Sequence, residues 1–177
     1  MIRILLAAAA LLALPAAPSS AADKVSLRPG EMAIVVIDDG GRVSVERGGA
    51  ARPMSDEDRA MVRDLLLNHP EAFGPQAALI RADLARPAPP VARGEIRFSF
   101  IALGERNDTL LIVENGYDRG LRYRAVMSRG SRSEPTDVCV VVPGRRGYEH
   151  WPYPIDRIDL GTMTLVPYRE GDVPTCE

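Results

Sequence analysis

The sequence predicts a mainly β protein, an antiparallel β-sandwich with one amphipathic helix near residues 55–69. Three observations predict it. Short apolar or alternating runs recur often enough for about seven to nine strands, clusters of Gly, Pro, Asn and Asp separate them at short spacing, and only one stretch has helical periodicity. The centre of the pattern is Thr109 to Gly144, with the runs TLLIV, LRYRAVM and DVCVVV. Asn115-Gly116-Tyr117-Asp118-Arg119-Gly120 separates the first two and Gly130-Ser131-Arg132-Ser133 the last two, so neighbouring strands are expected to pair antiparallel.

Taken in order, Met1-Ile2-Arg3 is a short basic start, Ile4 to Leu14 an apolar run, and Pro15 to Ala22 a small-residue stretch. This is the layout of a secretory signal peptide over residues 1–22, cut after Ala22 to leave Asp23 first, since the apolar run falls well short of the roughly 20 residues that span a bilayer. No cysteine lies near the junction for lipid attachment, and no later segment is apolar enough to cross a membrane. Residues 23–177 are expected to form one β-sandwich domain, soluble in the periplasm or secreted, with an N-terminal hairpin, the helix and a Pro-rich connector at residues 86–90.

The hairpin is Met32 to Ile37, then Asp38-Asp39-Gly40-Gly41, then Val43 and Val45 alternating with polar residues. Asp38 and Asp39 read as turn formers, because the further carboxylates of a calcium loop are absent. Ser55-Asp56-Glu57-Asp58 resembles a capping box, and Met61, Val62, Leu65 and Leu66 share one helical face until Pro70. Ala77 to Ile80 reads equally as strand or helical turn, and Arg86-Pro87-Ala88-Pro89-Pro90 as an extended connector. Ile96, Phe98, Phe100 and Ala102 alternate with Glu95, Arg97, Ser99 and Ile101, a half-buried strand. TLLIV has no alternation and is expected to be covered on both sides. Leu121, Tyr123, Ala125 and Met127 then oppose Arg122 and Arg124, and two more strands lie between Arg157 and Val166. A strand, Asn115-Gly116-Tyr117-Asp118 and a second alternating strand resemble the pattern of immunoglobulin-like and cupredoxin-like sandwiches. That resemblance covers about twenty residues and implies only the architecture.

Cys139 and Cys176 are the only cysteines, and an even count in an exported chain predicts one disulfide fastening the tail, Arg169 to Glu177, to the strand holding Cys139. The full chain has 22 Lys+Arg against 24 Asp+Glu; losing Arg3 makes this 21 against 24, a net charge of −3 that argues against nucleic acid as partner.

No reaction-specific motif is present. G-x-S-x-G, S-x-x-K and H-E-x-x-H are absent, the Gly40-Gly41 and Gly48-Gly49 pairs lack the surroundings of a phosphate loop, and no metal or cofactor is assigned. Glu114, Asp118, Glu149 and Asp156 offer carboxylate pairs, but spacing along the chain says nothing of separation in space. Only His69 and His150 are available as bases, and His69 is placed to complement a helix C-terminus. The competing readings centre on His150: a hydrolase, or a copper protein using Cys139, His150 and Met163, with Met32, Met54 or Met163 in a weaker copper(I) site. The stronger signal is Arg145 to Pro154, a loop that gathers Arg145, Arg146, Tyr148, His150, Trp151 and Tyr153, residue types that dominate binding hot spots. Its alternative is a core plug made by Trp151 and Tyr153. Seven arginines from Arg119 to Arg146 against Glu134 and Asp137 give a local charge of +5. The reading is a non-catalytic exported binding module, with an envelope protein or an anionic polymer as partner.

Overall fold

The computed structural model describes residues 20–21, 24–51, 60, 91–103 and 108–177. The helix expected near residues 55–69, His69, Met54, the Ala77–Ile80 run, the connector at 86–90 and the leader before Ser20 lie outside these residues, apart from Ala60. No described element is a helix, and among the described residues no helix is long and apolar enough to cross a membrane.

The described residues are mainly β, with ten strands in two antiparallel sheets and no closed barrel among them. They are β1 (Ser20–Ala21), β2 (Lys24–Leu27), β3 (Glu31–Ile37), β4 (Val43–Ala50), β5 (Ile96–Leu103), β6 (Asp108–Asn115), β7 (Gly120–Arg129), β8 (Arg132–Thr136), β9 (Arg146–Trp151) and β10 (Arg157–Val166). The six-stranded sheet runs β1-β4-β3-β5-β6-β9 and the four-stranded sheet β2-β10-β7-β8. Their facing sides share one apolar core. Val35, Phe98, Phe100, Leu111 and Val113 come from the first sheet, and Leu27, Leu121, Tyr123, Ile158 and Leu160 from the second. The rings of Phe98 and Tyr123 meet edge to face across the gap, 5.6 Å between centroids.

The β3–β4 hairpin forms as its turn residues predict. The Asp38 carboxylate accepts the Arg42 N–H at 2.8 Å, and Gly41 takes a φ of 78°. β6 is buried on both faces along its whole length, as its unbroken apolar run predicts.

Two expectations about the Thr109–Gly144 stretch are corrected. First, β6 and β7 do not pair: they belong to different sheets, and both contribute to the core. The link between them is an arch pinned by the fully buried Asn115. Its amide donates to the Arg119 carbonyl at 2.8 Å and the Val141 carbonyl at 3.0 Å, while its side-chain oxygen accepts the Tyr117 N–H. Tyr117 then reaches β3, where its hydroxyl both accepts from and donates to the backbone of Ile37. Gly116 is required there, since a Cβ would lie 2.2 Å from the Ala92 carbonyl oxygen. Second, DVCVVV is not a strand. The tight turn at Gly130, with φ of 57°, brings Arg132–Thr136 directly back along β7, so β8 takes the pairing. Cys139 and Val141 make only isolated bridges, to Cys176 and Leu121.

The Cys139–Cys176 disulfide is present, as the cysteine count predicts. Reciprocal backbone bonds between Val138 and Glu177 and one from Val140 to the Thr175 carbonyl fasten the tail to the same segment.

Candidate functional site

The stretch expected to be an exposed aromatic loop is largely a strand. TLLIV, once inside the larger sheet, needs hydrogen-bond partners on both edges; β5 supplies one set and Arg146–Trp151 the other, in register from Thr109↔Trp151 to Glu114↔Arg146. The pleat of β9 then divides the candidate binding residues between two faces. Arg146, Tyr148 and His150 alternate with Gly147, Glu149 and Trp151.

Trp151 turns inward. It packs edge to face on Phe100, 6.4 Å between centroids, and its indole N–H donates to Thr136 Oγ1 at 2.9 Å. Of the two roles available to this residue, the structure gives it a place in the core. Tyr153 sits just beyond the strand beneath the Arg129 guanidinium, 4.4 Å from the ring centre, and its carbonyl accepts from Thr109.

On the outward side of β9 the groups are charged yet buried. Arg97, Glu114 and Arg146 occupy one rung across β5, β6 and β9. Arg97 Nη1 donates to Glu114 Oε2 at 2.6 Å and Arg146 Nη2 to Glu114 Oε1 at 3.3 Å, while Arg146 also reaches the Tyr148 hydroxyl. One carboxylate thus serves two guanidinium groups in a site largely closed to water. Four residues along β9 on the same face, His150 Nε2 lies 3.5 Å from Asp108 Oδ2. Burial lowers the histidine's pKa and Asp108 opposes that, so neutral imidazole is the form favoured near pH 7.

The inward side holds a group that the sequence reading passed over as one of many carboxylates. Glu149 is buried beside the disulfide segment and accepts the Cys139 N–H at 2.8 Å. Burial pushes its pKa up from 4.5 to about 8, against the pull of that hydrogen bond and with the help of the Asp137 charge. The Tyr123 hydroxyl is fully buried nearby, has no hydrogen-bond partner among the described residues, and is pushed well above 10 by burial and then by Glu149. The alternation of β9 was the signal that could have found Glu149: it shares a face with Trp151.

The copper arrangement does not assemble. Cys139 is oxidised in the disulfide, Met163 is a core residue of the other sheet, and His150 points from the opposite face of β9. Among the described residues no three His, Cys, Asp or Glu side chains group as metal ligands. The arginine-rich stretch is also no single face. Arg122 and Arg124 pair with Glu177, Arg129 covers Tyr153 at one end of β7, and Arg146 lies in the buried rung.

Arg145 differs from these. It stands just before β9 and lines an open cleft of about 460 Å³ with Asp118, Val142, Pro143, Tyr168 and Glu170. Among the described residues Arg145 makes no ion pair, whereas Asp118 has Arg93 at 4.0 Å. No known protein family, curated protein or solved structure matches this chain.

Proposed function

We propose that the protein is an exported, non-catalytic β-sandwich of immunoglobulin-like or cupredoxin-like build, acting as a binding module in the cell envelope. One observation carries this reading: Glu114 holds both Arg97 and Arg146, while Arg145 makes no ion pair among the described residues and lines an open cleft with Tyr168. A cation and an aromatic ring at the rim of a rigid scaffold suit an anionic group on an envelope protein or polymer. The Cys139–Cys176 bond supports an oxidising compartment, and N-terminal sequencing of the exported protein should begin at Asp23.

The test is a photo-crosslinking amino acid at Tyr168, compared with one at Ser131 in the turn at the far end of β7. The reading expects a discrete crosslinked species from Tyr168 alone, lost in Arg145→Glu while the urea midpoint stays unchanged. No such species, or the same species from Ser131, removes this site. The second reading, a hydrolase centred on His150, draws on the Asp108 contact alone. Ester hydrolysis abolished by His150→Ala without loss of fold would favour it.

A further inference from the structure

The lining of the Arg145 cleft comes largely from two separate parts of the chain. Val142, Pro143 and Arg145 belong to the segment between β8 and β9, and Tyr168, Glu170 and Gly171 to the tail that follows β10. The disulfide joins the same two parts, Cys139 lying just before the first wall and Cys176 just after the second. The join reaches Tyr168 itself: a Cβ added to Gly120 would meet Val140 Cγ1 at 3.1 Å and Tyr168 Cβ at 3.6 Å, so the neighbour of Cys139 and the cleft's tyrosine close over one bare point of β7. The walls are held unequally. On the first, the Arg145 carbonyl accepts the Asn115 N–H and Val141 exchanges bonds with Leu121, which ties it to β6 and β7. On the second, only Pro174 is buried between Arg169 and Glu177, and the tail is fastened by the disulfide, by main-chain bonds to Val138 and Val140, and by exposed ion pairs of Glu177 with Arg122 and Arg124. Exposed ion pairs hold little, and a segment with little buried surface opens readily, so the covalent bond is the strong part of this fastening. Its two sulfurs also differ in access, since Cys139 is buried and Cys176 is exposed.

We propose that Cys139–Cys176 is a thiol–disulfide exchange site whose reduction by a dithiol unfastens the tail wall of the Arg145 cleft, so that the cleft is complete only in the oxidised protein. As a control on binding, this rests on the reading of that cleft as the binding site. A thiolate of the reductant attacks Sγ of Cys176, the exposed partner. The Sγ–Sγ bond breaks, its electron pair leaves on Cys139 Sγ, which takes a proton from solvent, and a mixed disulfide joins the reductant to Cys176. The second thiol of the reductant, as thiolate, then attacks the reductant's sulfur in that mixed disulfide and releases Cys176 as a thiolate, which is protonated in turn. Two electrons and two protons pass to the protein, and the dithiol departs as a disulfide. Tyr168, Glu170 and Gly171 are then free to leave Arg145, which β6 still holds.

The experiment labels the oxidised protein with fluorotyrosine and follows its fluorine NMR spectrum during titration with dithiothreitol, the reduced fraction being counted by alkylation and mass. The Tyr168 signal, assigned with Tyr168→Phe, should be lost in step with reduction and reappear at the position it takes in the protein carrying Cys139→Ala and Cys176→Ala. The Tyr153 signal, at the other end of β7 beneath Arg129, should stay in place. Glutathione, a monothiol, should be trapped on Cys176 and not on Cys139 when the products are mapped by mass spectrometry. Resistance to reduction in the absence of denaturant, a Tyr168 signal that reduction leaves unmoved, or glutathione on Cys139 overturns the proposal. So does movement of all five tyrosine signals together, which would make the bond a staple of the whole fold. None of these measurements needs a ligand: the absence of a Tyr168 crosslink in the oxidised protein counts against the cleft as a binding site, whereas the NMR result decides the switch.

Discussion

Glu149→Gln is the most informative single change in this protein. The carboxyl is buried beside Cys139, and its pKa stands at about 8 in the fold against 4.5 for an ordinary glutamate. Between those values the folded protein holds a proton that the unfolded chain has released, so stability is undiminished below pH 4.5 and falls as pH rises towards 8. At 1.36 kcal/mol per pH unit, the gap of about 3.5 units corresponds to a loss on the order of 5 kcal/mol, of which about 3 kcal/mol has gone by pH 7. That is a large part of the roughly 5–15 kcal/mol that holds a typical domain together. Glutamine is neutral at every pH, matches the shape, and keeps an oxygen to accept the Cys139 N–H. Urea unfolding of both proteins from pH 4 to 9 isolates the effect, because all other titrating groups are common to the pair. The variant should match the parent at pH 4, gain on it by about 1.4 kcal/mol per unit up to pH 8, and hold a constant lead above that. Parallel stability curves across the whole range would refute the reasoning and mean that Glu149 ionises in the fold as it does in water.

The remaining predictions concern what holds the sheets and the tail. Trp151→Ala should lower unfolding free energy by about 3–5 kcal/mol, measured by chemical denaturation, because it empties a core site and leaves Thr136 without its donor. Glu114→Gln should lose about 3–5 kcal/mol by removing the buried carboxylate that the Arg97 and Arg146 guanidinium groups share, whereas replacing all three by apolar residues should recover most of that stability. Thiol titration of the unfolded, unreduced protein should find no free thiol, and Cys139→Ala with Cys176→Ala should cost about 3–4 kcal/mol and raise hydrogen exchange at Val138 and Val140.

Local chemistry was legible wherever a residue's role depends on its chain neighbours. Alternation placed Leu121, Tyr123, Ala125 and Met127 together on a face that is buried, and Asp38 with Gly41 announced a hairpin that the structure contains. The even cysteine count predicted the disulfide. Pairing was less legible. Asn115-Gly116 reads as a hairpin turn in sequence, yet Asn115 spends its amide on the carbonyls of Arg119 and Val141 and sends the chain to the opposite sheet. Arg132–Thr136 has no apolar pattern and still becomes a strand, because the Gly130 turn places it beside β7.

The candidate site shows the same division. Residue type alone marked Arg145–Pro154 as a place where Arg, Tyr, His and Trp gather, and such groups are equally suited to recognition and to the interior. What decides between them is register. Once residues 146–151 pair with β6, the pleat sends Trp151 and Glu149 inward and Arg146 and His150 to the other face, and Arg145, outside the strand, lines an open cleft. By itself the sequence determined a mainly β chain, its turn chemistry and its disulfide, since these depend on composition and on contacts a few residues apart. Tertiary structure alone decided which strands share a sheet and which charges meet, because each of those rests on backbone partners far apart in the chain.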